Sequence, residues 1–598
     1  MVQSERSFTL SPWVSDIFVL FLLSFLFVNP LFNQHWIITG ESIDQLLRVI
    51  ELNRGIGEGQ FYPRWFGDLA GGFGYPYFIF YAPLIYYVSE AFHLLGFGLV
   101  TSLKCMIFLG VLMSGVGMYL LTKPFWGSFG ALVSGAAYIY VPYRMVDLYL
   151  RGDFAEAFAM SLLPFVLYFF YQIVVRKEVH WVLGAVISYA ALIFTHNATA
   201  LIFSGFLLWV LIFFALQRGS FYGLARGLLG MIWALSLSAV FWLPALLEKG
   251  LVNIHLIHDD LALDFRNNFL ELIRLFSTTW TLEGGPADRN LPFQIGWPHI
   301  LFVMFSFSYL LRPESQGKKE ARQHMLFFLF CVILALFFTN ESSRPIWESL
   351  PLMKYLQFPW RFLTILSFFI SILSGALLLY FVDTPKPIQQ VFQIALVIII
   401  ALTGLQYCRV SGYLIMSEET MSPEWVKAHG GTVSAYNTSK MDQIRDYGEY
   451  LPRSVKKLPD KRRAGQVEVL TGAGRIMDLK RTMQAYEFTV SADENIEIIV
   501  GSFYYPSWKG RVEGRALFLF TDDEGLIHLQ VPKGISRVKV FFGDSTARKW
   551  AKYLSLVSLL VVLVILFLRI AKNPAIILAG RRFKHESAKK ETNRINGA

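Results

Sequence analysis

Apolar runs of about twenty residues recur along almost the whole chain, and no other feature limits its fold so sharply. A helix of that length and polarity spans the hydrocarbon core of a bilayer. The runs fall at 13–29, 77–96, 105–122, 127–143, 158–175, 181–195, 198–216, 228–246, 299–311, 324–338, 361–381, 389–407 and 551–570. Charge agrees: 16% of the residues are charged and 54% are hydrophobic, against about a quarter charged in soluble proteins. The 54 Phe, 27 Tyr and 15 Trp suit a lipid-facing surface with aromatic belts at both interfaces. No small-residue cleavage site follows the first run, which reads as a retained anchor and not a signal peptide. The expected fold is a polytopic α-helical membrane protein.

Basic residues orient the array, because Lys and Arg favour cytoplasmic loops. Arg176 and Lys177, Arg218 and Arg226, the group Arg312, Lys318, Lys319 and Arg322, and Arg569, Lys572, Arg581, Arg582 and Lys584 mark one side. From residue 158 onward the alternation is self-consistent. It places His196, the loops 247–298 and 339–360 and the region 408–548 on the opposite, extracytoplasmic side. The net charge of +10 belongs to short loops and a basic tail, and nucleic acid is not expected as a partner. With both ends inside, the passes must be even in number, yet thirteen runs are counted. The discrepancy lies between 75 and 157, where the run 77–96 carries Pro83, Glu90 and His93.

Residues 408–548 differ in kind. Period-two alternation appears in Val467-Glu468-Val469, Tyr486-Glu487-Phe488-Thr489-Val490, Ile496-Glu497-Ile498 and Arg537-Val538-Lys539-Val540, with turn signals between them. That pattern predicts a half-buried antiparallel sheet, a small β-sandwich-like domain. The chain thus divides into a transmembrane domain at 1–407 with a first outer loop at 30–76, an extracytoplasmic β-rich domain at 408–548, a return helix at 549–571 and a basic cytoplasmic tail at 572–598. Cys105, Cys331 and Cys408 have no metal-ligand spacing and indicate no disulfide framework.

Ionisable groups are costly in a membrane, so those retained at its boundary mark candidate function. In Gly40-Glu41-Ser42-Ile43-Asp44-Gln45-Leu46-Leu47-Arg48, positions 41, 44, 45 and 48 share one face if the segment is helical. A carboxylate there can take a proton from a hydroxyl nucleophile, and arginines can hold a phosphate as its charge develops. The same spacing also describes a solvated interfacial helix. Three further clusters reach the same side: Arg151-Gly152-Asp153-Phe154-Ala155-Glu156, Thr195-His196-Asn197, and Lys354 to Arg361. Each has a plain alternative: an ion pair for Arg151 and Asp153, a turn for His196, snorkelling for Arg361.

These stretches, in this order, resemble the bacterial membrane proteins labelled "6-pyruvoyl-tetrahydropterin synthase-related", which in turn resemble polytopic GT-C-type glycosyltransferases. The landmarks are Gln45-x-x-Arg48, Gly59 to Trp65, Gly74 to Leu84, Arg151-Gly152-x-x-x-Glu156, His196-Asn197, Phe241-Trp242-Leu243-Pro244, Gln357 to Arg361, Glu449-Tyr450-Leu451-Pro452 and Tyr504-Tyr505-Pro506-x-Trp508. The resemblance implies a GT-C-like fold of twelve to fourteen transmembrane helices. Where the family pattern has Asp-x-x-x-His-x-x-Arg, this sequence carries Glu41, Gln45 and Arg48; Gln cannot titrate, and Asp44 stands as an alternative acid.

The resemblance implies a membrane glycosyltransferase that moves a sugar from a polyprenyl-phosphate-linked donor to a cell-envelope acceptor, amid membrane lipid. Glu41 or Asp44 is the implied base. Gln45, Arg48, Arg64, Tyr81, Arg151, Asp153, Glu156, His196, Gln357 and Arg361 are the implied substrate-binding residues. A divalent cation, Mg or Mn, suits acidic oxygens, although no complete ligand set is visible. No nucleotide-binding glycine loop is evident. The rival readings are a glycolipid transporter or flippase, against which no inverted repeat is found, and a non-catalytic envelope assembly protein.

Overall fold

The computed structural model describes residues 12–254, 263–281, 291–311, 319–414 and 448–571. Arg312, Lys318 and the basic tail 572–598 lie outside the described residues. Eight helical stretches are long and apolar enough to cross a bilayer, and two shorter apolar helices, Trp13–Phe27 and Val179–Thr195, join them. One of the eight is a hairpin. The helix Leu99–Ile139 reverses at Gly127, whose φ of 70° only glycine adopts freely. Gly115 accordingly faces Ile139 and Gly135 on the returning arm.

The run at 77–96 is not a pass. A single helical turn, Tyr77–Phe80, gives way at Tyr81–Pro83 to the helix Leu84–Leu94 of 11 residues. At 1.5 Å per residue it covers about 16 Å, half the hydrocarbon thickness. Proline and a buried Glu90 break what the apolar count alone joins. With Trp297–Tyr309 included, the thirteen expected runs reduce to twelve passes among the described residues, an even number. The pass expected at 228–246 is bent: Phe221–Leu237 continues as Ala239–Glu248 after an offset at Ser238. Small residues set the closest helix contact, since a Cβ on Gly130 would stand 2.6 Å from the Gly375 carbonyl oxygen and one on Gly375 2.3 Å from that of Gly130.

The C-terminal region forms two antiparallel sheets. One has the order β1 (Val467–Thr471), β4 (Ile496–Phe503), β8 (Leu526–Val531), β7 (Leu519–Thr521); the other runs β2 (Gly474–Thr482), β3 (Ala485–Ala492), β9 (Gly534–Phe542), β5 (Trp508–Val512), β6 (Arg515–Leu517). Tyr486, Phe488, Val490, Val538 and Val540 turn inward with Ile498, Val500, Ile527 and Leu529, as period two requires.

This region is fastened to the helices at several points. Trp65 of the first loop packs against Trp508 at 5.6 Å and Phe542 at 5.2 Å, and the Phe503 N–H donates to the Phe73 carbonyl at 2.8 Å. The short strands Trp36–Ile37 and Tyr413–Leu414 pair. Below them, Arg548 on the last helix grips Glu248 with Nε to Oε1 at 3.1 Å and Nη2 to Oε2 at 2.7 Å. Tyr505 and Ser545 hydroxyls donate to the same carboxylate at 2.9 and 2.6 Å.

Candidate active site

The first loop enters the site through its backbone. Gly40 and Glu41 N–H groups donate to the carbonyls of Leu150 and Arg151 at 2.9 and 2.8 Å. The approach requires glycine at 152: φ is +77°, and a Cβ there would stand 2.2 Å from Thr39 Oγ1. Glu41 caps the helix Ser42–Gly57, which presents Asp44, Gln45 and Arg48 inward. Gln45 fixes Glu41 in place. Its Nε2 donates to Glu41 Oε2 at 3.4 Å and to the Gly152 carbonyl at 3.1 Å, while its Oε1 accepts from the Tyr86 hydroxyl at 2.8 Å. Arg48 stands 3.9 Å from Glu41, donates to Tyr86 at 3.1 Å and rests against the rings of both Tyr77 and Tyr81 at 4.7 and 4.8 Å.

Burial, reinforced by Asp153, raises the Glu41 carboxyl to about 7 against the pull of Arg48, and burial raises Asp44 to about 6. A quarter of the Glu41 side chain, 25%, remains exposed, while Asp44 is 5% exposed with its Oδ1 unpartnered among the described residues. Of the two acids, Glu41 is the more accessible.

Behind this pair stands a buried ionic knot. Val146–Arg151 is a turn of π-helix, a local widening common at functional positions, and it carries Asp147 and Arg151 inward together. Arg151 pairs with Asp147, with Asp153 Oδ2 at 3.0 Å and with Glu156 Oε2 at 3.0 Å, over the Trp360 ring at 4.4 Å. Glu156 also accepts from the hydroxyls of Tyr143 at 2.8 Å and Thr364 at 2.7 Å. Arg361 lies 3.7 Å from it and donates to Gln357 Oε1 at 3.2 Å; Gln357 holds φ at 61°, an uncommon conformation that marks a constrained turn. Asp153 caps its helix by accepting the Glu156 N–H at 3.0 Å. Burial alone would push Asp153 up, but His196 and Arg151 outweigh it and hold the carboxyl at about 2. Burial lowers His196, whose Nε2 is 4.0 Å from Asp153.

Asp153, Glu156 and His196 offer donor atoms within 4.8 Å of one another, the grouping a divalent ion would need. The surroundings do not fit one. The same carboxylate oxygens already accept Arg151 at 3.0 Å, and an ion bound between them would stand against that guanidinium. Arg151 is the resident cation of the knot. EDTA is therefore expected to leave turnover unchanged; loss of activity restored by Mg²⁺ or Mn²⁺ would show that the knot opens to admit metal.

Eleven of the twelve expected residues gather here. Arg64 does not: its Nη2 donates to the Val240 carbonyl at 2.9 Å and its guanidinium covers Tyr62 at 4.2 Å, toward Arg548 and Asp544. Asp147, Tyr143, Tyr77, Tyr86 and Thr364 join the site without having been singled out. Only Asp147 left a signal, an acid four residues before Arg151 inside an otherwise apolar stretch.

Fold and site define a polytopic membrane protein whose acid–arginine centre sits where helices begin and end, beneath a β-rich region. Residues 78–411 match the family model described as "6-pyruvoyl-tetrahydropterin synthase related domain; membrane protein", and the chain belongs to that family. An uncharacterized protein from Lactococcus lactis subsp. cremoris (strain MG1363) is 23% identical over 302 residues, covering 48% of each chain; the chain thus spans about half the length of the curated relative it matches. Among solved structures, the apo oligosaccharyltransferase of Archaeoglobus fulgidus aligns with a TM-score of 0.45 and 12% identity over 67% of this chain and 56% of that one. ArnT from Cupriavidus metallidurans bound to undecaprenyl phosphate gives 0.41 and 15% over 70% and 68%. The mycobacterial arabinofuranosyltransferase AftD gives 0.43 and 15% over 67% and 27%. At these scores the likenesses carry no argument about the reaction.

Proposed function

We propose that the protein is an inverting membrane glycosyltransferase, moving a sugar from a polyprenyl-phosphate carrier to a cell-envelope acceptor at the outer face of the cytoplasmic membrane. The observation that carries this reading is the half-open Glu41 carboxylate held by Gln45 beside Arg48. In the step, Glu41 takes the proton of the acceptor hydroxyl as its oxygen bonds to the anomeric carbon. The bond from that carbon to the phosphate oxygen breaks, and its electron pair leaves with the lipid phosphate. Arg48 and Arg361 take up the developing negative charge, and Glu41 then gives its proton to solvent. Gln45 positions the base without titrating. A transporter reading has less support, since Glu41, Asp153, His196 and Arg361 all lie at helix ends and not at the midplane. The direct test incubates purified protein with polyprenyl-phosphate sugars and follows release of free lipid phosphate; no release with any donor would sink the reading.

Orientation has its own check. Arg176, Arg218 and Arg226 lie at helix ends opposite the site, and by the positive-inside rule this supports the proposal that the site and the β-rich region face outside. With Cys105, Cys331 and Cys408 replaced, a cysteine substituted for half-buried Ser491 should react with a membrane-impermeant thiol reagent in cells whose outer barrier is permeabilised. Labelling only after the inner membrane is lysed would reverse the topology.

A further inference from the structure

We infer that Glu449 and Tyr450, which the β-rich region carries against the first loop, hold the sugar of the lipid-linked donor and set which sugar is accepted. The inference rests on the reading of the site as one for a polyprenyl-phosphate sugar. It accounts for a sequence landmark that the proposed chemistry leaves without a role.

The segment is held from both sides. Asn253 N–H donates to the Leu451 carbonyl and Arg453 N–H to that of Leu251, each at 3.0 Å, and Val252 bridges to Pro452. Tyr450 N–H donates to the Tyr75 hydroxyl at 2.8 Å. The Tyr450 ring lies on Phe80 with centroids 5.2 Å apart and 24° between planes, and meets Tyr77 edge-on at 6.2 Å. Tyr77 is the ring against which Arg48 rests. A continuous aromatic path therefore runs from the phosphate-binding guanidinium to Tyr450. Gly448 and Leu451 on either side are buried, whereas Glu449 and Tyr450 stay partly exposed. Arg48 and Arg361 are both electrostatic neighbours of Tyr450, and Arg48 of Glu449, so the pair lies near the cations that would hold the phosphate.

That is the position of a sugar whose anomeric carbon bears the phosphate. A pyranose offers an apolar C–H face, which packs on an aromatic ring, and a rim of hydroxyl donors. A carboxyl group offers two oxygens in a fixed plane for hydrogen bonding, so Glu449 reads the placement of those hydroxyls. Because such a group left without its partner is penalised strongly, one carboxylate discriminates well between epimers.

The test titrates full-length protein in nanodiscs with undecaprenyl phosphate and with undecaprenyl phosphate bearing glucose, galactose or mannose. Wild type should bind one glycosylated lipid about tenfold more tightly than the bare lipid phosphate. Glu449→Gln and Tyr450→Leu should each abolish that preference while leaving bare-lipid binding unchanged. Arg361→Lys should weaken both lipids together, because Lys lacks the planar fork. A preference that survives in both Glu449→Gln and Tyr450→Leu, or a wild type that prefers none of the three sugars, overturns the inference and leaves the carrier reading standing. Failure of wild type to bind either form of lipid overturns the carrier reading and the inference with it.

Discussion

Glu41→Gln is expected to fold, insert and bind donor, yet transfer sugar on the order of 10²–10⁴ times more slowly. The substitution preserves the shape and the oxygen that accepts from Gln45 and removes only the basicity. Asp44→Asn should be the milder change, because Asp44 is the more deeply buried of the two. The reverse order would move the base to Asp44, and no effect from either would favour passage or scaffolding over chemistry. The pH profile supplies a second readout. Burial and Asp153 set the Glu41 carboxyl at about 7, and only its ionised form accepts a proton, so turnover should rise with pH through about 7 and then flatten. Stability moves the other way. A carboxyl raised from an ordinary 4.5 to about 7 contributes stabilisation that is fully present below 4.5 and lost as pH rises through 7. The rising limb of activity should vanish in Glu41→Gln.

A comparably large effect, on stability, is expected at the junction of the last helix. Glu248→Gln removes the counter-charge of Arg548, which is 1% exposed. Stranding one member of a buried pair costs about 3–5 kcal/mol. The expected signs are a lower thermal midpoint and early proteolysis between the helices and the sheets. Arg548→Met should do similar damage from the other side. The double variant Glu248→Leu with Arg548→Met should recover much of the loss, since apolar replacement of a whole buried pair is often neutral. A double variant as unstable as the sum of its parts would mean that the hydroxyls of Tyr505 and Ser545, not the charges, hold the joint.

Much of the membrane architecture can be read from residue types, because a bilayer demands long apolar helices whatever the tertiary contacts. Gly127 separates the two arms of a hairpin in the sequence as it does in space. The run at 77–96 misled because hydropathy averages over Tyr81–Pro83, where the backbone turns between two short helices. Period-two alternation found four of the strands, Val467–Thr471, Ala485–Ala492, Ile496–Phe503 and Gly534–Phe542, for the same local reason. The site divides likewise. Glu41 and Arg48 meet because helix spacing alone brings them to one face. Gln45 gave no sign of its role, since its partners Tyr86 and Gly152 lie 41 and 107 residues away. Asp147 meets Arg151 at the ordinary helical spacing of four residues, but it lies beyond the apolar run 127–143, in a turn of π-helix. Arg64 is near Arg48 in sequence, but the loop between them carries it to Val240.

The span between Glu248 and Arg548 also sets a clock on biogenesis. The two are 300 residues apart, and at 5–20 residues per second the ribosome needs roughly 15–60 s to make the second after the first. For that interval a carboxylate at the end of a nascent membrane helix has no counterion. The helices can insert, but the joint cannot close. Glu449 and Tyr450 arrive only in the same late window. Products that stop short of the final helix would carry an unpaired acid at the membrane boundary, the kind of defect by which membrane proteases recognise unfinished clients.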